Sequence, residues 1–116
     1  NMTERDDSVF IGHILDSIEA IEEFSKNITQ EELHTNRLKK SAIVREIEII
    51  GEASKNLTPE FRKKQNQIIW KEIIGTRDVM IHQYFGVDLT VLWDILTKDL
   101  PKLKKQILAI KKDLEM

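Results

Sequence analysis

The sequence, 116 residues long, has no cysteine. That excludes a disulfide framework, a thiolate nucleophile and any cysteine-held metal. Proline is found only 2 times and glycine only 4 times, which rules out collagen-like and low-complexity chains. The glycines, at positions 12, 51, 75 and 86, never cluster. No phosphate-cradling glycine loop is therefore present, and dinucleotide-type cofactor binding has no support. Apolar runs such as that around Ile47 to Ile50 are broken by charge within a few residues. Nothing approaches the ~20 apolar residues that cross a bilayer, and no secretory signal pattern stands at the start. The expectation is a soluble, cytoplasmic protein with no membrane association. Its length suits one domain spanning 1–116 with a single core.

The formal net charge of −2 argues against a general nucleic-acid binder, but the charge is uneven. Residues 1–58 hold 7 basic and 12 acidic side chains, against 11 and 8 in residues 59–116. The basic excess sits at Arg62, Lys63, Lys64 and Lys71, and again at Lys102, Lys104, Lys105, Lys111 and Lys112. Such lysines either gather phosphates by releasing counterions or form the solvated faces of amphipathic helices.

Apolar residues make up 41% of the chain, and their spacing is helical throughout. Phe10, Ile14, Ile18, Ile21 and Phe24 form one stripe over about Asp7 to Lys26, with Asp6, Asp7 or Ser8 as its cap. Thr29 and Glu32 make a capping box, with Ile28 and Leu33 placed as a hydrophobic staple. A longer helix is expected from about Asn36 to Leu57, striped by Ile43, Ile47, Ile50, Ser54 and Leu57. Gly51 falls inside it, beside Ala53 and Ser54, and makes a narrow face that lets another helix approach. Thr58-Pro59-Glu60 restarts a short basic helix. Trp70, Ile73 and Ile74 then pack inward, Gly75 ends that turn, and Thr76 caps a new helix from near Arg77 that stops at Gly86. Asp88 caps the last helix, striped by Val87, Val91, Leu92, Ile95 and Leu96. Pro101 is expected to kink or interrupt it, with Leu103, Ile107, Ile110 and Leu114 carrying the apolar face beyond. The pattern gives an all-α fold, an up-and-down bundle of four to five helices.

His13 and His34 have no neighbours at ligand spacing, and no HExxH pattern occurs, so no metal site is expected. The segment Gly75-Thr76-Arg77-Asp78-Val79-Met80-Ile81-His82-Gln83-Tyr84-Phe85-Gly86 differs from the rest. On one continuous helix Arg77 and Tyr84 share a face, while His82 stands ~140° round from Arg77. A helix ending near His82 also lets the imidazole turn toward the guanidinium. Such a group suits RNA cleavage through the 2′-hydroxyl. A histidine near neutrality can move the protons, and an arginine fork can stabilise the phosphorane charge. Equally, an Arg–Asp or Arg–Tyr network with a capping histidine would lock two helices together.

The arrangement Arg77-x4-His82-x-Tyr84, followed by Phe85-Gly86-Val87-Asp88, resembles the HEPN superfamily, and most closely its HepT-type ribonuclease toxins. Ile49-Ile50-Gly51-Glu52-Ala53, Trp70 with Ile73, Ile74 and Gly75, Trp93, and Asp99-Leu100-Pro101-Lys102-Leu103 fit the same branch, so that the likeness covers about residues 6 to 110. The resemblance implies a HEPN-like homodimer that cuts RNA without metal or cofactor, with Arg77 and His82 catalytic at the subunit interface. It implies Asp78 as an orienting residue and Tyr84 as the acceptor of AMP from an adjacent-gene minimal nucleotidyltransferase, the antitoxin, which silences the nuclease. It also admits a non-catalytic binding module that docks the nucleotidyltransferase. Gly51, Ala53 and Ser54, or Val87, Leu92 and Trp93, are candidates for the dimer face, and Glu52 for pairing with Arg77 or with a basic residue of the partner.

Overall fold

The computed structural model describes residues 4–82 and 86–115. Its elements are α1 (Glu4–Phe24), α2 (Gln30–Thr35), α3 (Arg37–Asn56), α4 (Pro59–Lys64), α5 (Trp70–Met80), β1 (Ile81–His82), β2 (Gly86–Val87) and α6 (Leu89–Asp94). A π-helical turn (Ile95–Asp99) then joins α6 to α7 (Leu100–Leu114) without a break. The long helices α1, α3, α5 and the α6–α7 rod form the bundle, and α2 and α4 are single connecting turns. The fold is all-α in its architecture, as the apolar spacing requires.

Isoleucine dominates the interior. Ile11, Ile14, Leu15, Ile18 and Ile21 of α1 are buried together with Ile43, Val44, Ile47 and Ile50 of α3 and Leu103, Ile107 and Ile110 of α7. α1 packs against both α3 and α7, and α3 also packs against α5. Each such side chain contributes roughly 1.5–3 kcal/mol on leaving water. Phe10 and Phe24, at the ends of the predicted α1 stripe, are only half-buried.

Several local expectations hold in detail. Thr29 caps α2, its hydroxyl accepting the Glu32 N–H at 3.0 Å, but Glu32 does not complete a capping box: its carboxylate instead meets Lys39 Nζ at 2.7 Å. Asn36 caps α3 by accepting the Lys39 N–H at 3.0 Å. Asp88 caps α6 through the Val91 N–H at 3.1 Å. Gly51 is the close approach the sequence implies: a Cβ there would stand 3.4 Å from the Ile73 carbonyl oxygen and 3.6 Å from that of Ile74. α5 thus rests its backbone directly on α3.

Other expectations are corrected. Gly75 and Thr76 do not break the chain, because α5 runs through both. The Thr76 hydroxyl donates back to the Glu72 carbonyl at 2.8 Å, so it belongs to the helix interior and caps nothing. The helix stops instead at Met80, well before Gly86. The Met80 side chain is fully buried, and its carbonyl accepts the Asp88 N–H at 2.7 Å while Ile81 pairs antiparallel with Val87. Val87 is therefore strand, not helix. Gly86 has φ 74°, a left-handed conformation that suits glycine.

Asp6, Asp7 and Ser8 lie inside α1 rather than at its cap. Asp7 is buried, and it serves a distant turn: Oδ1 accepts the Thr58 N–H and Oδ2 the Thr58 hydroxyl, both at 2.8 Å. Thr58 in turn accepts the Phe61 N–H at 3.2 Å, capping α4. Pro101 neither breaks nor ends the C-terminal rod. It occupies the first turn of α7, where its missing N–H matters least. The preceding turn has widened so that the Leu100 N–H reaches the Ile95 carbonyl, a π-type bond.

Candidate functional site

Arg77 stands in the last turn of α5, where the helix dipole favours a cation. The Ile81 N–H still bonds the Arg77 carbonyl, so His82 is the first residue past the hydrogen-bonded end of the helix. Its backbone lies in β1, with its Cα opposite Gly86. The α5 terminus and the β1–β2 pair thus bring the backbone of Arg77, His82 and Gly86 to one end of the bundle. His82 is described by its backbone alone. Tyr84 lies outside the described residues.

The Arg77 side chain is 59% exposed and is not sealed in the bundle. Its Nε donates to Glu48 Oε2 of α3 at 2.8 Å. Glu48 is the more enclosed partner, at 26% exposure, and it rises from a helix whose neighbouring Ile47 and Ile50 are buried. Glu52, the partner considered from sequence, is exposed one turn further along, and Glu48 takes its place. Periodicity alone does not single Glu48 out, since Glu52 likewise stands beside buried positions of α3. Asp78, next to Arg77, is exposed to solvent.

The candidate dimer faces divide. Leu92, Ala53 and Ser54 are buried within the chain, and Gly51, half-buried, carries the backbone of α5, so this group offers little free surface. Val87 and Trp93 are half-buried. His13 and His34 are exposed, and the His13 ring sits edge-on to Phe10 with centroids 5.8 Å apart. Among the described residues no three histidine or acidic side chains gather as a metal-binding group. No helix among them is long and apolar enough to cross a membrane.

A cleft of about 210 Å³ opens between α3, α5 and α7, floored by Ile47, Ile50, Ile73 and Leu103 and rimmed by Gln67 and Glu72. Neither Arg77 nor Glu48 lines it. The Arg77 side chain stands more than half exposed outside this cleft.

Residues 14–110 match the family described as "Ribonuclease HepT-like". A Methanocaldococcus jannaschii protein named "Gamma-glutamylcyclotransferase and putative RNase" is 49% identical over 96% of this chain and 50% of its own length. The chain thus spans half of that relative. A second protein of the same organism, named "Putative RNase", is 42% identical over 91% of this chain and 97% of its own. One from Thermococcus cleftensis, named "Probable ribonuclease HepT", is 40% identical over 89% of this chain and 94% of its own. No solved structure matches.

Proposed function

The chain belongs to the HepT-like ribonuclease family, and on that premise we propose that it is a metal-independent endoribonuclease, the toxin of a toxin–antitoxin pair. The observation that carries the reading is Arg77: the family's arginine position is filled, exposed, and held at a helix end beside the backbone of His82. In this reading Arg77 grips the scissile phosphate with its donor fork and stabilises the charge that builds as the phosphorane forms. His82 takes part in proton transfer, either from the attacking 2′-hydroxyl or to the leaving 5′-oxygen. A homodimer supplies a second copy of each group, so that one imidazole can act as base and the other as acid. Asp78 helps to orient Arg77.

Tyr84 is the regulatory residue. AMP transferred from ATP to its hydroxyl by an adjacent-gene minimal nucleotidyltransferase, with loss of the phenolic proton and release of pyrophosphate, adds bulk and a negative phosphodiester beside the groups that receive RNA. Occupancy and charge repulsion both silence the site.

The test is cleavage of RNA by the purified protein with EDTA present. His82→Ala and Arg77→Ala should each lower the rate on the order of 100-fold or more, with circular dichroism unchanged. Full activity in His82→Ala would remove the assignment. Expression without the neighbouring protein should arrest growth; unimpaired growth favours the docking-module reading. Intact mass after incubation with the nucleotidyltransferase and ATP should rise by one AMP, and Tyr84→Phe should prevent the gain.

A further inference from the structure

We propose that Glu48 is a positioning residue for Arg77, setting the guanidinium in the orientation that receives phosphate. The inference rests on the ribonuclease reading of Arg77 given above. An arginine side chain has four rotatable bonds, and one at the exposed end of a helix samples many of their combinations. Here the Nε–H is fixed on Glu48 Oε2 at 2.8 Å. That bond sets the plane of the fork by anchoring its inner edge to α3. The two terminal nitrogens make no hydrogen bond among the described residues, and they are the donors left over for a phosphate. The phosphate is therefore taken end-on, by both terminal nitrogens, and not side-on through Nε.

Glu48 is well placed for this task. It sits on the same stretch of α3 whose Gly51 lets α5 lie backbone-to-backbone, so the distance between the two helices is fixed where the pair forms. Its own exposure, 26% against 59% for Arg77, makes it the stationary partner. A pair this exposed adds little to folding stability, so its effect is on geometry. Pre-orientation lowers the barrier because no reorganisation is needed as charge develops.

The test compares wild type, Glu48→Ala, Glu48→Gln and Arg77→Ala on a short RNA, with kcat and KM measured separately and folding followed by circular dichroism. Glu48→Ala should lower kcat roughly 10- to 100-fold while KM stays within about twofold and the melting curve is unmoved. Glu48→Gln should recover most of the loss, because its amide oxygen can accept the same Nε–H. Wild-type or faster turnover in Glu48→Ala overturns the proposal, as does a Glu48→Gln enzyme no better than Glu48→Ala. The second readout is the Arg77 Nε–H signal in ¹⁵N NMR. It should exchange slowly in wild type and Glu48→Gln and quickly in Glu48→Ala; equal exchange in all three overturns the pinning. Should wild type and Arg77→Ala process RNA alike, the ribonuclease reading fails by itself, and the NMR series still decides whether Glu48 holds Arg77.

Discussion

Between α1 and α3, aliphatic side chains meet at nearly every turn, and Ile11, Ile14 and Ile43 have no exposed surface at all. The last turn of α5 does the opposite, sending Arg77, Asp78 and Val79 outward in succession. The two regions are nonetheless linked, since α5 rests on α3 through Gly51 and through the Glu48–Arg77 pair. The contrast shows where each kind of residue can be spent. The interior sets stability and leaves chemistry alone. The outward side chains of the α5 terminus, Arg77 to Val79, add little to the fold, so they are free to be chosen for what they bind.

Four substitutions press on that division, from the largest effect downward. Ile14→Ala should cost about 2–5 kcal/mol by leaving a cavity in the packed interior, read as a lower midpoint in urea. Arg77→Ala should lower RNA cleavage on the order of 100-fold and shift stability by less than ~1 kcal/mol, because an exposed pair is worth little. A large loss of stability there would mean that the α5 end belongs to the scaffold after all. Asp7→Ala should cost about 1–3 kcal/mol, since it strands the Thr58 N–H and loosens the α4 cap, while leaving the rate per folded molecule intact.

The smallest effect concerns Lys104, whose hydrogen bond to Glu22 raises its pKa above the ordinary 10.5. A raised folded-state value means that the pair helps the folded state at pH below 10.5 and that the help fades as pH climbs through the raised value. The melting difference between wild type and Lys104→Met should be slight at neutral pH, weaken with salt, and vanish in strong alkali.

Much of the bundle was legible in the sequence. Thr29, Thr58 and Asp88 announce helix starts because a short polar side chain there satisfies an otherwise unpaired N–H, and the spacing of isoleucines marks the buried faces. Gly75 and Thr76 misled, because both residue types usually signal a boundary. Packing against α3 outweighs the local cost of glycine, and a threonine inside a helix can bond to its own preceding turn. Asp7 misled for a different reason: a carboxylate near a helix start reads as a local cap, and nothing local points to Thr58, 51 residues away. The motif residues were visible as a cluster through their types and through family resemblance. Glu48 was not, because its meaning depends on which turn of α3 faces α5, and that register is set by tertiary contact.

The widened turn at Ile95–Asp99 has a consequence for comparing lengths across the family. A π turn is an α-helix that has accommodated one additional residue, and everything after it is rotated by about 100° relative to an uninterrupted helix. Leu103, Ile107 and Ile110 face inward only with that offset in place. A relative with an unwidened helix here should carry a single-position gap in this stretch when aligned, and deleting one residue from the turn in this chain should close it to an ordinary α-turn while Leu103, Ile107 and Ile110 keep facing inward.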